Sequence, residues 1–190
     1  MNFNEHWTLQ GKHAFLSPSQ YYWINDDKEK LGVRYSNFKA KERGIRLHEL
    51  ASMCIKEGVR LARNKTSLNM FVNDAIGYKM ESEQVLYYSD NCYGTTDAIS
   101  FRKDKATGRY LLRIHDLKTG TVPAHMMQLM VYASLFCLEY DYSPYDIDIE
   151  LRIYQTSEPD ILVPEPSEIQ NIMDVIVDHD KYLNELRASE

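Results

Sequence analysis

The chain contains 190 residues, of which 44% are hydrophobic and 26% are charged, the balance of a soluble globular domain. No apolar run is long enough to span a bilayer, and residues 1–13 lack the basic start and apolar stretch of a secretory signal. We therefore expect a cytoplasmic protein without membrane association, or a nuclear one in a eukaryotic host. Cys54, Cys92 and Cys137 form no CxxC pair, so we expect buried small side chains rather than a zinc ribbon or an iron–sulfur cluster.

The formal net charge of −6 is unfavourable for a protein that binds nucleic acid, because phosphate contacts need lysine and arginine. Local basic clusters can nevertheless supply such contacts. Three clusters are candidates: Lys39, Lys41, Arg43 and Arg46; Arg60, Arg63 and Lys65; and Arg102, Lys103 and Lys105. A solvated surface with no ligand is the alternative interpretation of each cluster.

Residues 1–12 have the character of a poorly ordered tail, and we predict one domain over 13–190. Ser17 is predicted to cap a short helix, with Pro18 at its first position and Gln20 completing a capping box. Apolar residues at helical spacing predict longer helices over 41–63 and 68–76, the second ending at Gly77.

The pattern then changes to short aromatic and alternating segments typical of strands. Three strands are predicted over 84–89, 93–101 and 109–118, with a hairpin loop over 102–108. A helix that is apolar nearly all round, over 124–140, is predicted to lie buried against the sheet. Strict alternation predicts a fourth strand over 146–155, followed by a loop containing three prolines and a final helix capped by Ser167.

The order of these elements limits the topology of the sheet. The first three strands are close enough in sequence to pair as antiparallel hairpins. The fourth strand follows a long helix, so it joins the sheet through a β-α-β crossover. The sequence therefore predicts an α/β fold with a central mixed sheet flanked by helices.

Asp116 and Lys118 lie two residues apart at the end of the third strand, so their side chains share one face. A carboxylate there can bind a divalent cation, and the neighbouring amine can orient water or offset charge on a phosphate. Asp97, on the adjacent strand, could add a second carboxylate. A symmetric hairpin centred near Lys105 would pair Asp97 with about Arg113, so an asymmetric loop or a bulge is needed to bring it to Asp116.

His48 lies beside the apolar stripe of the first long helix and could add an imidazole ligand, a donor that suits manganese or iron as well as magnesium. A boundary histidine with one hydrogen bond is the alternative interpretation. Gln128 and Tyr132 are one turn apart on the buried helix, where polar groups need partners. They could position Lys118 or contact DNA, or they could be satisfied polar groups of the core.

Several short segments occur together in an order that resembles one family. They are Gly44–Glu49, Gly94–Ile99, Ile114–Gly120 and Gln128–Tyr132, with His13–Ser19 and Leu151–Gln155 at either end. In this order they resemble the PD-(D/E)xK nuclease superfamily, in the RecB-like and phage λ-exonuclease-like branch, of the phage- or prophage-encoded type. The iron–sulfur members of this branch need four cysteines that this chain lacks.

The resemblance implies a restriction-endonuclease-like core of αβββαβ type. It implies that His48, Asp97, Asp116 and the carbonyl of Leu117 bind metal, and that Lys118 is catalytic. Gln128 and Tyr132 would form the QxxxY motif. Glu83 matches an acidic position often seen upstream of the aspartate, and Glu49, next to His48, is a further candidate.

Together, these expectations predict a deoxyribonuclease that uses one or two Mg²⁺ or Mn²⁺ ions and contains neither zinc nor an iron–sulfur cluster. Its substrate would be DNA, as linear duplex or DNA ends. It would be an exonuclease that acts in phage recombination or DNA processing. It would act in the cytoplasm of a phage-infected or prophage-carrying bacterium, as a homo-oligomer or with a recombination partner protein. The alternative is a non-catalytic module of nuclease fold that binds DNA or a partner protein.

Overall fold

The structure is a computed structural model that describes residues 5–189. The chain divides into two compact units, residues 1–45 and 46–190. The tail over 1–12 and the single domain over 13–190 stay predictions, and the first four residues of that tail lie outside the described part of the chain. Between residues 5 and 189, no helix is both long and apolar enough to cross a membrane.

The first unit contains two 3₁₀ helices, Trp7–Leu9 and Pro18–Asn25. The capping box predicted at Ser17 is wrong. The Ser17 hydroxyl lies 2.9 Å from the Ser19 hydroxyl and caps no amide. Gln20, the predicted partner, has a non-helical backbone and interrupts the turn.

The helix α1 spans Lys28–Lys56, whereas the sequence predicts a helix over 41–63. It begins early because the Asp27 carboxylate accepts the Lys30 amide at 2.8 Å, which satisfies a donor of the first turn. It ends early because Gly58 has a φ of +67°, a left-handed conformation that suits glycine at a helix C-terminus. The apolar residues beyond Gly58 extended the predicted stripe without extending the helix.

The second unit holds the sheet and the remaining helices. In chain order these are α2 (Ser67–Gly77), β1 (Glu81–Ser89), β2 (Cys92–Lys103), β3 (Tyr110–Leu117), α3 (Met127–Tyr140), β4 (Ile147–Tyr154), β5 (Asp160–Leu162) and α4 (Pro166–Ala188). The sheet order is β1-β2-β3-β4-β5, with β3 and β4 parallel and the other pairs antiparallel. The predicted α/β fold, with a mixed sheet flanked by helices and a crossover into the fourth strand, is confirmed.

Two predictions about the later elements are wrong. β5 lies in the segment predicted as a loop, because three residues are too few to show an alternating pattern. The cap of α4 is Glu165, not Ser167: Glu165 and Glu168 form a reciprocal capping box, and Pro166 takes the first helical position.

The sheet separates two hydrophobic clusters. On one face, Leu112 and Ile114 of β3 belong to a buried cluster that includes residues of α3 and α4. On the other face, Leu117 belongs to a cluster that includes residues of α2 and the end of α1. Residues that alternate along β3 thus serve opposite cores, as the two-residue period of a strand requires.

The three cysteines are free thiols. Cys54 and Cys137 are buried, as predicted, but Cys92 is only half-buried. Cys92 is the first residue of β2, beside the β1–β2 turn. The prediction of three buried cysteines is therefore wrong for Cys92.

Candidate active site

The β2–β3 pairing brings Asp97 opposite Asp116. Ala98 pairs with His115 and Ile99 with Ile114, so one further step in the same register faces Asp97 with Asp116. A symmetric hairpin centred near Lys105 would pair Asp97 with about Arg113, but Arg113 pairs with Ser100, and the position of the loop closes the offset without a bulge in the described β2–β3 pairs. The hairpin simply turns later than the sequence predicts.

The hairpin loop explains this register. β2 continues to Lys103, which pairs with Tyr110, so the loop contains residues 104–109. The Asp104 carboxylate accepts amides of the loop at 2.7 and 3.0 Å, and the Asp104 amide donates to the Arg109 carbonyl at 2.7 Å. Gly108 supplies the positive φ, 73°, that closes the turn. These contacts move the centre of the hairpin toward Gly108.

The Asp97 side chain lies where β2 and β3 stop pairing. Its Oδ2 accepts the Leu117 amide at 2.8 Å, taking the place of a main-chain acceptor. Its Oδ1 lies 3.2 Å from Nδ1 of His48, which α1 presents to the sheet. The hydrogen bond to Asp97 raises the pKa of His48, although burial of the imidazole opposes the effect. Asp97 thus joins α1, β2 and β3.

Lys118 lies between two oxygen acceptors. Its Nζ donates to Oδ1 of Asp116 at 3.1 Å and to Oε1 of Gln128 at 3.0 Å. Its amide donates to the Tyr154 carbonyl of β4 at 3.0 Å, which holds the backbone beyond β3. Gln128 is exposed rather than part of the core, and its side chain contacts the Lys118 amine.

Asp116 is 5% exposed, and its two oxygens differ. Oδ2 is buried and lies 3.0 Å from Nζ of Lys118, but it receives no directed hydrogen bond. Burial, followed by repulsion from Asp97, raises the pKa of Asp116, while Lys118 opposes the rise. The buried oxygen is a position that a cation would satisfy.

Tyr132 acts on β2 rather than on Lys118. Its hydroxyl donates to the Thr95 carbonyl at 2.7 Å, two residues before Asp97. Its ring lies against Gly94, where an added Cβ would be 2.9 Å from Cε1 of Tyr132. The glycine is needed for this close approach. Gln128 therefore contacts Lys118, which follows β3, whereas Tyr132 contacts β2.

Glu83 and Glu49 have different surroundings. Glu83 lies on β1 between the pairs Ser82–Ala98 and Gln84–Thr96, and so faces Asp97. Its φ of +56° is in the left-handed region, which is rare for a residue with a side chain. Desolvation, followed by repulsion from Asp97, raises its pKa. Glu49 is exposed on α1, and no described hydrogen bond or ion pair joins it to the site.

A buried serine pair, missed in the sequence, ties α1 to the sheet. The Ser52 and Ser82 hydroxyls lie 3.0 Å apart, one helical turn beyond His48 and one residue before Glu83. Both serines are less than 10% exposed. The available signal was a polar residue on the apolar stripe of α1, four residues after His48. The pair fixes the rotation of α1 that aims His48 at Asp97.

The donor set suits a divalent cation, although its members are not preassembled around one point. In the chain from 5 to 189, no group of three or more His, Cys, Asp or Glu side chains is arranged to hold a metal ion. Both Asp97 oxygens are engaged, by His48 and by the Leu117 amide. Mg²⁺ and Mn²⁺ accept such donors: the buried Oδ2 of Asp116, which pairs with Lys118 but receives no directed hydrogen bond, an opposed carboxylate and an imidazole. The Leu117 carbonyl stays a predicted ligand.

The basic clusters lie in different parts of the chain. Arg102 is at the far end of β2, about 17 Å from Asp97 along the strand. Arg60, Arg63 and Lys65 line a cavity of about 460 Å³ before α2. That loop is fixed by Asn73, whose side chain bonds both the amide and the carbonyl of Leu61 at 2.9 and 3.0 Å. The remaining cluster lies along α1.

Comparison with known proteins gives no match among family models, curated proteins or solved structures. The nuclease resemblance therefore depends on the chain's own residues. Direct contacts join His48 to Asp97, and Lys118 to Asp116 and Gln128. Asp97 lies close enough to Asp116 to raise the pKa of that carboxyl group.

Proposed function

We propose that the chain is a metal-dependent nuclease of the PD-(D/E)xK superfamily, in the RecB-like and λ-exonuclease-like branch. Its elements follow the order helix, three strands, helix, strand, which agrees with a restriction-endonuclease-like αβββαβ core. The residues that carry the resemblance lie at the end of β3 and on the elements next to it. A non-catalytic helix–sheet domain would not need two opposed carboxylates beside an amine.

One observation carries the proposal. Asp97 and Asp116 lie across from each other one step beyond the last described β2–β3 pair, and the Lys118 amine lies 3.0 Å from Oδ2 of Asp116, a buried oxygen that receives no directed hydrogen bond. The buried Asp116 carboxylate and the partly buried Asp97 carboxylate repel each other, which is costly for a structural role. The cost is understandable if the pair binds a cation.

His48, Asp97 and Asp116 would hold the metal, with the Leu117 carbonyl as a further ligand and Glu83, across from Asp97 on β1, as an additional candidate. When bound, the metal supplies an activated water and offsets charge on the phosphate. Lys118 directs two of its three N–H groups to Asp116 and Gln128. The third is available to a water or a phosphate oxygen, so Gln128 aims the amine while Lys118 stabilises developing charge.

The proposed substrate is DNA, cut as an exonuclease at the ends of linear duplex in phage recombination or DNA processing. The resemblance supports this class, together with action in the cytoplasm of a phage-infected or prophage-carrying bacterium and assembly as a homo-oligomer or with a recombination partner. The rigid loop with Arg60, Arg63 and Lys65 is the candidate contact for backbone phosphates. Lys65 pairs with Glu158 at 3.0 Å, so Arg60 and Arg63 are the cations of this loop that would compensate locally for the acidic net charge.

The experiment compares linear with circular DNA in Mg²⁺ or Mn²⁺, using wild type, Lys118→Met and the exposed control Lys181→Met. Wild type and the control should degrade linear DNA, whereas Lys118→Met should be slower by about 100-fold or more, as expected when a charge-stabilising donor is lost. Full activity of Lys118→Met would exclude this mechanism. Cleavage of circular DNA at the same rate would replace the exonuclease by an endonuclease.

A second function, a non-catalytic module that binds DNA or a partner protein, is favoured by one feature. His48 and the Leu117 amide already satisfy both oxygens of Asp97 without a metal. Under this alternative, wild type cleaves neither DNA nor RNA and binds no Mn²⁺. Metal binding that depends on Asp116 would exclude it.

A further inference from the structure

Gln155, the residue after β4, makes three hydrogen bonds to the segment between β3 and α3. Its Nε2 donates to the Gly120 carbonyl at 2.8 Å and to the Val122 carbonyl at 2.7 Å. Its Oε1 accepts the Ala124 amide at 3.0 Å. One side chain thus fixes a five-residue stretch, 120–124, at three alternate residues. α3 begins at Met127, three residues later than predicted and just beyond this stretch.

The position of this stretch matters because it joins Lys118 to Gln128. Their side chains meet at 3.0 Å, but the backbone between them contains no helix or strand until Met127. The last residue of β4 and the residue after it hold this connection. The Tyr154 carbonyl accepts the Lys118 amide, and the Gln155 side chain holds the residues that follow.

We propose that Gln155 is a positioning residue, which fixes the 120–124 segment so that Gln128 keeps the Lys118 amine directed toward Asp116. The inference rests on the proposed nuclease function for its catalytic consequence, but its structural part is independent of activity. Gln155 does not contact the reacting groups. It should therefore alter the rate of the chemical step more than the binding of substrate.

The experiment uses the full chain with Gln155→Ala, Gln155→Glu and the control Gln170→Ala, whose glutamine bonds only an exposed neighbour on α4. Gln155→Glu keeps the acceptor for the Ala124 amide but replaces the donor, so an oxygen would face the carbonyls of Gly120 and Val122. Amide hydrogen exchange measures the protection of residues 120–124. The rate of Lys118 acetylation, measured by mass spectrometry, reports how accessible the Lys118 amine is. Steady-state kinetics on linear DNA separate kcat from KM.

In Gln155→Ala, the Ala124 amide should exchange about tenfold faster or more, and acetylation of Lys118 should accelerate. The kcat should fall about 10- to 100-fold in both Gln155 variants, with KM within about threefold of wild type. The control should match wild type in each measurement, and amides of β2 and β3 should keep their protection in all variants.

Three results would overturn the inference: unchanged loop exchange, a loosened loop with unchanged Lys118 acetylation, or a loosened loop with unchanged kcat in an active enzyme. An inactive wild type would refute the proposed nuclease instead. In that case exchange at Ala124 and acetylation at Lys118 decide whether Gln155 positions the amine, so the two failures are distinguishable.

Discussion

Asp97 combines a structural bond with a proposed metal-binding role, and the two can be separated by substitution. Its Oδ2 accepts the Leu117 amide, whose residue is fully buried. An asparagine can still accept that amide, whereas an alanine leaves it without a partner. A buried donor that loses its acceptor costs about 1–3 kcal/mol.

Asp97→Ala should therefore lower the free energy of unfolding by about 1–3 kcal/mol in metal-free buffer, and Asp97→Asn by clearly less. Both variants should lose nuclease activity, because both remove the carboxylate charge. Urea unfolding monitored by circular dichroism checks the first expectation, and DNA degradation the second. Equal destabilisation by the two substitutions would show that the bond to the Leu117 amide is unimportant.

At Gly94, the neighbouring Tyr132 ring leaves no room for a side chain. An added Cβ would lie 2.9 Å from Cε1 of Tyr132 and 3.3 Å from its hydroxyl, closer than side chains tolerate. Gly94→Ala should displace the tyrosine and destabilise the protein by about 1–3 kcal/mol, the usual effect of overpacking. In a Tyr132→Ala background the same change should cost much less, as measured by thermal unfolding. A cost that is independent of Tyr132 would contradict the contact.

For the secondary-structure elements, the pairing register of the strands was harder to predict than the positions of the strands in the sequence. Alternation identified β4, and its register with β3 follows from the buried face. The β2–β3 register did not follow from the sequence, because the side-chain and glycine contacts of the 104–109 loop set the centre of the hairpin. The Ser52–Ser82 bond was unpredictable for a similar reason: it joins residues thirty positions apart. The site residues could be proposed from local motifs, but their convergence depended on these contacts.

The burial of Cys137 in α3 can be tested through the pH dependence of the protein's stability. Burial raises the pKa of Cys137 to about 12 from an ordinary value of 9.0, because the thiolate is poorly solvated against the core. Since the folded-state pKa is higher than the unfolded one, the stabilising effect is present below about pH 9 and is lost as the pH rises toward 12.

Cys137→Ala should therefore be less stable than wild type near neutral pH, and the difference should narrow as the pH rises above about 9. Urea midpoints at about pH 8 and about pH 10.5 measure the change. A difference that stays constant over this interval would show that the thiol is not buried as described. Cys137 is 1% exposed in the structure, so its thiolate would be poorly solvated in the folded protein.

At the scale of the whole molecule, a net charge of −6 makes DNA binding dependent on local cations. Arg63→Ala should weaken binding to linear duplex about equally for all sequences and reduce the slope of log Kd against log salt by about one unit. Arg102→Ala, at the far end of β2, should leave both quantities unchanged. Fluorescence anisotropy in EDTA, which prevents cleavage, provides the measurement. Equal effects of the two substitutions would reject the loop before α2 as the DNA contact.

The overall architecture was more predictable than the details of the site, because it follows from the order of apolar segments. A buried helix between two strands enforces the parallel β3–β4 crossover, whichever residues occupy the loops. The three-residue β5 and the early start of α1 escaped prediction because each depends on a few local contacts. The approach of His48 to Asp97 depends in turn on where α1 is held against β1.

Binding of Mn²⁺ to metal-stripped protein, measured by isothermal titration calorimetry, tests most directly whether Asp97 and Asp116 converge on a cation. We expect wild type and the exposed control Asp178→Asn to bind one or two ions per chain. Asp116→Asn should weaken binding by about 100-fold or more, because losing even a group that only orients a metal ligand costs about 10- to 100-fold. Wild type without saturable binding, or Asp116→Asn with the affinity of wild type, would contradict the metal site and the nuclease built on it.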